Sequence, residues 1–207
     1  MNSKKTVQSQ AIKLCECAIM IALAIVLDFF SKGISSFIFP DIWVNGGGIT
    51  LSMVPLVFIA YRHGNKWGLL TAFVFSGIQI LTGWYAPPAG TALSFVLCVL
   101  LDYVLAFTVL GVATFFRKMK GGLYIGATVA CVCRFLVHFI SGVTIYRINE
   151  PTELFNSIYT NPWLYSAVYN GSYVLIDLIL CLAILAILSK PMRKYLRGDD
   201  LKAMRGE

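Results

Sequence analysis

The sequence predicts an all-α membrane protein of six transmembrane helices with both termini cytoplasmic, built as one integral membrane domain over residues 1–207. Three observations carry that expectation. Of 207 residues, 58% are hydrophobic and only 13% charged, against about 25% charged in a soluble domain. The mean hydropathy is +0.76, and the apolar residues are spread along the whole chain, which excludes disorder and a soluble enzyme on a single anchor. A bilayer-spanning helix needs about 20 apolar residues, so this length holds about six spans and short loops.

The spans can be read in order. Residues 1–10 are polar, and the apolar run over 11–30 is long enough to span, unlike the short core of a cleaved leader. Residues 31–48 read as a loop with aromatic weight from Phe37, Phe39 and Trp43. A shorter apolar run, 49–61, is little more than half a bilayer deep and ends at Arg62-His63-Gly64-Asn65-Lys66. The third run, 67–81, is closed by a turn containing Pro87-Pro88, which stops a helix. The fourth covers 92–116, the fifth 123 to about 146, and the sixth about 164–188, followed by a basic tail. No strong internal repeat and no low-complexity tract interrupts them.

The charges then orient the chain. Its formal charge is +7, which by itself would suit a nucleic-acid partner. Yet the N-terminus, the second and fourth loops and the tail hold fourteen Lys and Arg, Lys4, Lys66, Arg117 and Arg193 among them, while the other three loops hold only Lys32 and Arg147. That is the positive-inside pattern, so topology accounts for the charge and no nucleic-acid binding is expected. The six cysteines all lie within apolar runs, where they read as small apolar helix residues.

Ionisable groups inside spans are costly, about 2.5–3.5 kcal/mol on insertion scales. Glu16, Asp28 and Asp177 lie towards helix ends, within reach of interfacial water, and are expected to have a structural or interfacial role. Asp102 lies midway along the fourth run, and Arg134 and His138, four apart, share one face of the fifth. These three read either as a structural ion pair or as a polar pocket between helices. Aromatic and amide groups gather at the outer ends: Trp43, Trp84, Tyr85, Tyr146, Trp163, Tyr165, Tyr169 and Asn170. An amide such as Asn170 can both donate and accept, as recognition of a heteroaromatic ring requires. No phosphate loop, HExxH or nucleophile elbow is present, so neither ATP hydrolysis nor enzyme chemistry is expected. No metal or cofactor is implied.

Leu101-Asp102-Tyr103, Arg134-x-x-x-His138-Phe-Ile-Ser-Gly142, Tyr165-Ser-Ala-Val-Tyr169-Asn170 and Thr82-Gly83 form an ordered constellation. With these residues in this order, the chain resembles the substrate-binding S-components of energy-coupling-factor (ECF) transporters, and among them the thiamine-specific ThiT family. The resemblance runs over about residues 14–188. It implies a six-helix protein that binds thiamine near its outer face through Asp102, Tyr103, His138, Gly142, Tyr146, Tyr165 and Asn170, with Trp43 and Tyr85 from the outer loops. Asp102 stands where some relatives carry Glu, and Tyr146 where some carry Trp. Arg134 is expected to hold Asp102 or the helix packing in place.

Ala18-x-x-x-Ala22 is a small-x-x-x-small stripe that admits a close helix neighbour. The resemblance implies that it docks on a transmembrane coupling subunit serving two cytoplasmic ATPases. It further implies that the loop 31–48 closes over thiamine and that the chain then topples in the lipid bilayer to release it inside. An S-component for another vitamin, a solitary secondary transporter and an intramembrane enzyme are the competing expectations.

Overall fold

The computed structural model describes residues 2–43 and 46–205, with side chains over 7–43 and 46–202. Val44 and Asn45 of the expected loop, and the side chains of Lys4, Lys5 and Arg205 counted in the charge asymmetry, lie outside this description. The helices are α1 (Asn2–Ile38), α2 (Met53–His63), α3 (Asn65–Thr82), α4 (Ala92–Phe116), α5 (Gly122–Thr144) and α6 (Pro162–Ser189), then the short α7 (Arg193–Arg197) and α8 (Asp199–Arg205). Among the described residues, four helices are long and apolar enough to cross a membrane: α1 from Val7, α4, α5 and α6. The other two of the expected six differ. α2 has only 11 residues and α3 opens on the polar pair Asn65-Lys66.

Local chemistry explains the boundaries. Thr91 and Ser94 form a reciprocal capping box that starts α4 after the two prolines,. Asn161 caps α6, with Pro162 at its first position,. α4 is not uniform, since Val99–Leu105 is a π-helical segment and Val109–Phe116 winds as a 3-10 helix. α4 and α5 approach so closely that a Cβ on Gly126 would lie 2.6 Å from the Ala113 carbonyl oxygen. Small residues permit such approach where no hydrophobic drive separates helix from lipid.

α1 continues eight residues beyond the end expected at Phe30. Its serines explain this: Ser31 Oγ donates to the Leu27 carbonyl at 2.6 Å, so its hydroxyl is satisfied within the helix and does not end it. The same serines serve the returning chain. Ile49 N–H donates to Ser35 Oγ at 3.3 Å and Leu51 N–H to Ser31 Oγ at 3.1 Å. Thr50 N–H donates to Asp177 Oδ1 at 2.7 Å, and its hydroxyl to Asp28 Oδ1 at 2.6 Å. An extended segment is thus buried beside the long helices, its amides held by side chains.

This corrects the reading of Asp28 and Asp177 as groups within reach of interfacial water. They are 6% and 0% exposed, because non-helical backbone away from water needs acceptors from its neighbours. α2 follows directly, and every residue in it except Tyr61 is buried, as expected of a helix apolar all round. The all-α expectation also needs one amendment. A two-stranded hairpin, β1 (Thr152–Leu154) and β2 (Ser157–Tyr159), joins α5 to α6. Its two-residue turn has positive φ at Phe155 and Asn156, 52° and 57°, without the Asn-Gly or Asp-Gly pair that signals such turns.

At the other end, the basic tail is folded back as α7 and α8. Arg62, 1% exposed, donates to both oxygens of Glu16 at 2.7 and 2.8 Å and to both of Asp200 at 2.9 and 2.7 Å. It also donates to the Tyr195 carbonyl and lies over the Tyr195 ring. One guanidinium therefore ties α1, α2, α7 and α8 together, as its planar fork allows.

Two outcomes follow from this architecture. Asp177→Ala strands Arg134 and the Thr50 amide, which costs about 3 kcal/mol or more and should lower the thermal midpoint in detergent by on the order of 10 °C. An unchanged midpoint would show that the extended segment holds itself. At the tail, hydrogen bonds from Arg62 keep the Asp200 carboxyl below its ordinary value. Its contribution is therefore complete above about pH 4 and lost as the pH falls through the lowered value. Asp200→Asn should make trypsin cleavage in α7 faster at neutral pH, and acidification should release the wild-type tail in hydrogen exchange.

Candidate ligand-binding site

The cavity lies at the end of the bundle away from Arg62. Its walls come from α1 (Lys32), the extended stretch Gly46-Gly47-Gly48, α3 and its end (Gln79, Gly83), Tyr85, α4 (Asp102, Tyr103, Phe107), α5 (Arg134, His138, Gly142), Tyr146, and α6 (Tyr165, Ser166, Tyr169, Asn170, Tyr173). Of the residues singled out from the sequence, Asp102, Tyr103, His138, Gly142, Tyr146, Tyr165, Asn170 and Tyr85 all line it. Trp43 does not. Its indole donates to Ser172 Oγ at 2.9 Å and meets the Tyr173 ring edge-on at 6.4 Å, so it backs the wall that Tyr173 faces.

The π-helical segment Val99–Leu105 has a local consequence here. In an ordinary helix adjacent residues diverge by about 100°, yet Asp102 and Tyr103 both reach the cavity, with Phe107 one turn on. Such segments recur at functional sites. Asp102 is then fixed by two donors on α5. Ser141 donates to Oδ2 at 2.5 Å, and His138 Nδ1 lies 3.2 Å from Oδ1. Arg134 Nε donates to His138 Nε2 at 3.4 Å. Nε2 is thereby the acceptor, which assigns the imidazole proton to Nδ1, facing Asp102.

Arg134, expected to hold Asp102 or the helix packing in place, reaches Asp102 only through His138. Its charge partner is Asp177 of α6, with Nη1 3.5 Å from Oδ2, and its guanidinium lies 5.0 Å from the Phe107 ring centroid. Lys32 is matched in the same way by Asp28 at 2.9 Å, with Gln79 bridging the two at 3.2 and 2.9 Å. The charges around the cavity can then be summed. Lys32 offsets Asp28, Arg134 offsets Asp177, His138 is a neutral imidazole by its bonding, and the Asp102 carboxylate stands over.

Aromatic and amide groups complete the walls. The Tyr103 hydroxyl donates to the Gly83 carbonyl at 2.9 Å and accepts from Tyr85 N–H at 2.7 Å, fixing the turn after Thr82-Gly83. Trp84 stacks on the Tyr103 ring at 5.4 Å, and the Tyr85 and Tyr146 rings are 6.0 Å apart. Asn170 donates to the carbonyls of Ser166 and His138 at 3.0 and 3.3 Å and accepts from the Tyr173 hydroxyl at 2.8 Å. Gly142 matters by its lack of a side chain, since a Cβ there would collide with Ser166 Oγ. Gly47 does the same on the other wall, where its N–H meets the Tyr169 hydroxyl at 3.2 Å.

Sequence reasoning missed Lys32, Gln79, Tyr173 and the glycine run as wall residues, and gave Ser141 no part of its own. Signals for two of them were present: Gln79 is an amide in an apolar run, and Tyr173 lies one turn after Tyr169. Ala18 and Ala22 lie apart from the cavity, exposed on α1, while their neighbour Ala24 is fully buried.

The chain is similar to known proteins over nearly its whole length. Residues 14–196 match the family described as thiamine transporter protein (Thia_YuaJ). A thiamine transporter ThiT of Bacillus subtilis (strain 168) is 29% identical over 212 residues, covering 96% of this chain and 99% of the relative. One of Lacticaseibacillus paracasei is 24% identical over 194 residues, covering 86% and 87%. A solved structure of ThiT from Listeria monocytogenes has the same fold, with a TM-score of 0.68 at 24% identity over 91% of this chain and 98% of that one. With 183 of its residues inside one family match, the chain belongs to the thiamine transporter proteins, which are transporters and not enzymes.

Proposed function

We propose that the chain is the high-affinity thiamine-binding S-component of an ECF-type importer. It captures thiamine at the outer face and delivers it inward with a transmembrane coupling subunit and two cytoplasmic ATPases. In this reading α2 and α3 complete six spans in a single domain of the cell membrane, and both termini are cytoplasmic, as the distribution of Lys and Arg supports. The observation that carries the proposal is the unmatched Asp102 carboxylate in an aromatic-walled cavity. A permanent cation such as the thiazolium of thiamine restores the balance.

Each wall then has a task. Asp102 compensates the cation, with His138 and Ser141 holding its two oxygens in place. Tyr146 and Tyr85 offer ring faces, where cation–π attraction reaches about 2 kcal/mol once water is excluded. Asn170, Tyr165 and Tyr103 present hydrogen-bonding groups to the aminopyrimidine, and Trp43 braces the wall through Tyr173. The glycines 46–48 let the loop backbone close down, and Ala18 and Ala22 give the coupling subunit a flat, exposed face on α1.

Titration of the purified chain with thiamine should quench its tryptophan fluorescence at micromolar ligand or below, with Trp84, stacked on Tyr103, contributing. No quenching at micromolar thiamine would overturn the reading. Asp102→Asn keeps the shape and removes the charge. It should weaken binding about ten- to hundredfold, the range for losing a hydrogen bond to a charged group. Ala22→Trp should leave thiamine binding intact and abolish uptake in cells that carry the coupling module; uptake at the wild-type rate would exclude this face as the dock.

A further inference from the structure

His138 stands between a carboxylate and a guanidinium, which pull its protonation in opposite directions. Nδ1 lies 3.2 Å from Asp102 Oδ1 on α4, and a carboxylate so placed favours the imidazolium. Nε2 lies 3.4 Å from Arg134 Nε, one turn back on α5. A second proton on Nε2 would aim one N–H at another and set two positive charges side by side in a largely buried place,. The outcome decides what the cavity offers a ligand. An imidazolium would pair with Asp102 and leave no charge over, whereas a neutral Nδ1–H donor leaves the carboxylate its full charge.

Which neighbour prevails depends on whether either can give way, and Arg134 cannot. It is 3% exposed, its Nη1 faces Asp177 Oδ2 at 3.5 Å, and its guanidinium lies 5.0 Å from the Phe107 ring centroid. Asp177 is held in turn by the Thr50 amide at 2.7 Å. A guanidinium does not lose its proton in proteins, so its charge stays beside Nε2. Asp102 already has a second donor, because Ser141 serves Oδ2 at 2.5 Å, and it does not need an imidazolium. The other groups facing His138 do not tip the balance. Tyr173 of α6 meets the imidazole edge-on at 6.2 Å and gives its hydroxyl proton to Asn170. Tyr165 and Tyr169, also in the wall, are phenols, which do not titrate near neutral pH. Lys32 of α1 is a further positive charge, paired with Asp28.

We propose that Arg134 is a positioning residue that keeps the proton off His138 Nε2, so that Asp102 stays the cavity's unmatched charge in neutral and mildly acidic surroundings alike. Without the guanidinium, His138 would charge over the range in which histidines ordinarily do and would take Asp102 from the ligand. The inference rests on the reading of the cavity as a site for a cation, and adds what sets its charge.

Two-bond proton–nitrogen spectra of the ligand-free chain, labelled at its two histidines and assigned with His138→Gln, read each ring nitrogen directly. Wild-type His138 should keep a proton on Nδ1 and none on Nε2 from about pH 8 to about pH 6. A ring protonated at both nitrogens within that range, or at Nε2 alone, overturns the proposal, with no change to the network and no thiamine needed. Arg134→Met with Asp177→Asn removes the guanidinium and its buried counter-charge together and leaves an amide oxygen for Thr50. In this variant His138 should take up a proton over the same range. Its thiamine affinity should fall at least about fourfold from pH 8 to pH 6, as for a ligand competing with one proton at an ordinary histidine, while the wild-type affinity changes less than about twofold. The range stops there because an aminopyrimidine itself takes up a proton in more acid solution. A variant as insensitive to pH as the wild type overturns the proposal. If the variant does not fold, the wild-type spectrum decides alone. A wild type that binds no thiamine would instead defeat the reading of the cavity, and the spectra would still decide the charge on His138.

Discussion

The structure depends on one constraint: a stretch of non-helical backbone, residues 48–52, each residue buried or half-buried, runs among long apolar helices where little water can serve its amides. Each helix satisfies its own backbone, but this stretch cannot, and unsatisfied groups there cost several kcal/mol each. The chain resolves this by placing acceptors on its neighbours. Ser31 and Ser35 on α1 receive the amides of Leu51 and Ile49, Asp177 on α6 receives that of Thr50, and Asp28 receives the Thr50 hydroxyl. The register of α1 against α6, and the point at which α2 can begin, follow from where those acceptors stand.

The same solution sets the electrostatics of the cavity. Asp28 and Asp177 bring negative charge into the bundle, and each then requires a cation, which Lys32 and Arg134 provide. Arg134 is thereby committed to Asp177 and reaches Asp102 only through His138. Had Arg134 paired with Asp102 directly, the unmatched carboxylate would be Asp177, fully buried behind the wall, and not the one that faces the cavity. The support of the loop and the unmatched charge at Asp102 are thus two results of one network, running from Thr50 through Asp177, Arg134 and His138 to Asp102 and Ser141.

Much of this was legible in the sequence, and the remainder was hidden for physical reasons. The apolar runs that became α1, α4, α5 and α6 were visible because a span must satisfy its own backbone and expose apolar groups to lipid. Asp102, His138 and Asn170 stood out because polar groups are rare and costly in such runs. Asp28 and Asp177 stood out equally, yet position along a run measures depth only for a straight helix facing lipid. It could not show that an extended segment folds in beside them. The serines of 31–38 read as loop residues because composition does not reveal a hydroxyl bonded back to its own helix. The π-helical turn at Asp102 and the hairpin at Phe155 and Asn156 are set by tertiary packing against local preference. The tail read only as basic, since the acceptors for Arg62 come from Glu16 and Asp200, far apart in sequence.

α1 is the element on which these separate arrangements meet. Glu16 joins it to the Arg62 cluster and, through Arg62, to α7 and α8. One turn on, Ala18 and Ala22 face outward. Asp28, Lys32, Ser31 and Ser35 then hold both the extended segment and a corner of the cavity. A helix transmits displacement along its axis far better than a loop does, because its hydrogen bonds are continuous. A neighbour seated on Ala18 and Ala22 that moved α1 by an ångström would stretch bonds of 2.6–3.3 Å to residues 49–51, beyond the range in which they hold. The glycines that follow the loop into the cavity wall have no side chains to resist the shift. Whatever grips the outer face of α1 therefore acts directly on the backbone that leads into the cavity wall, and needs no longer path through the core.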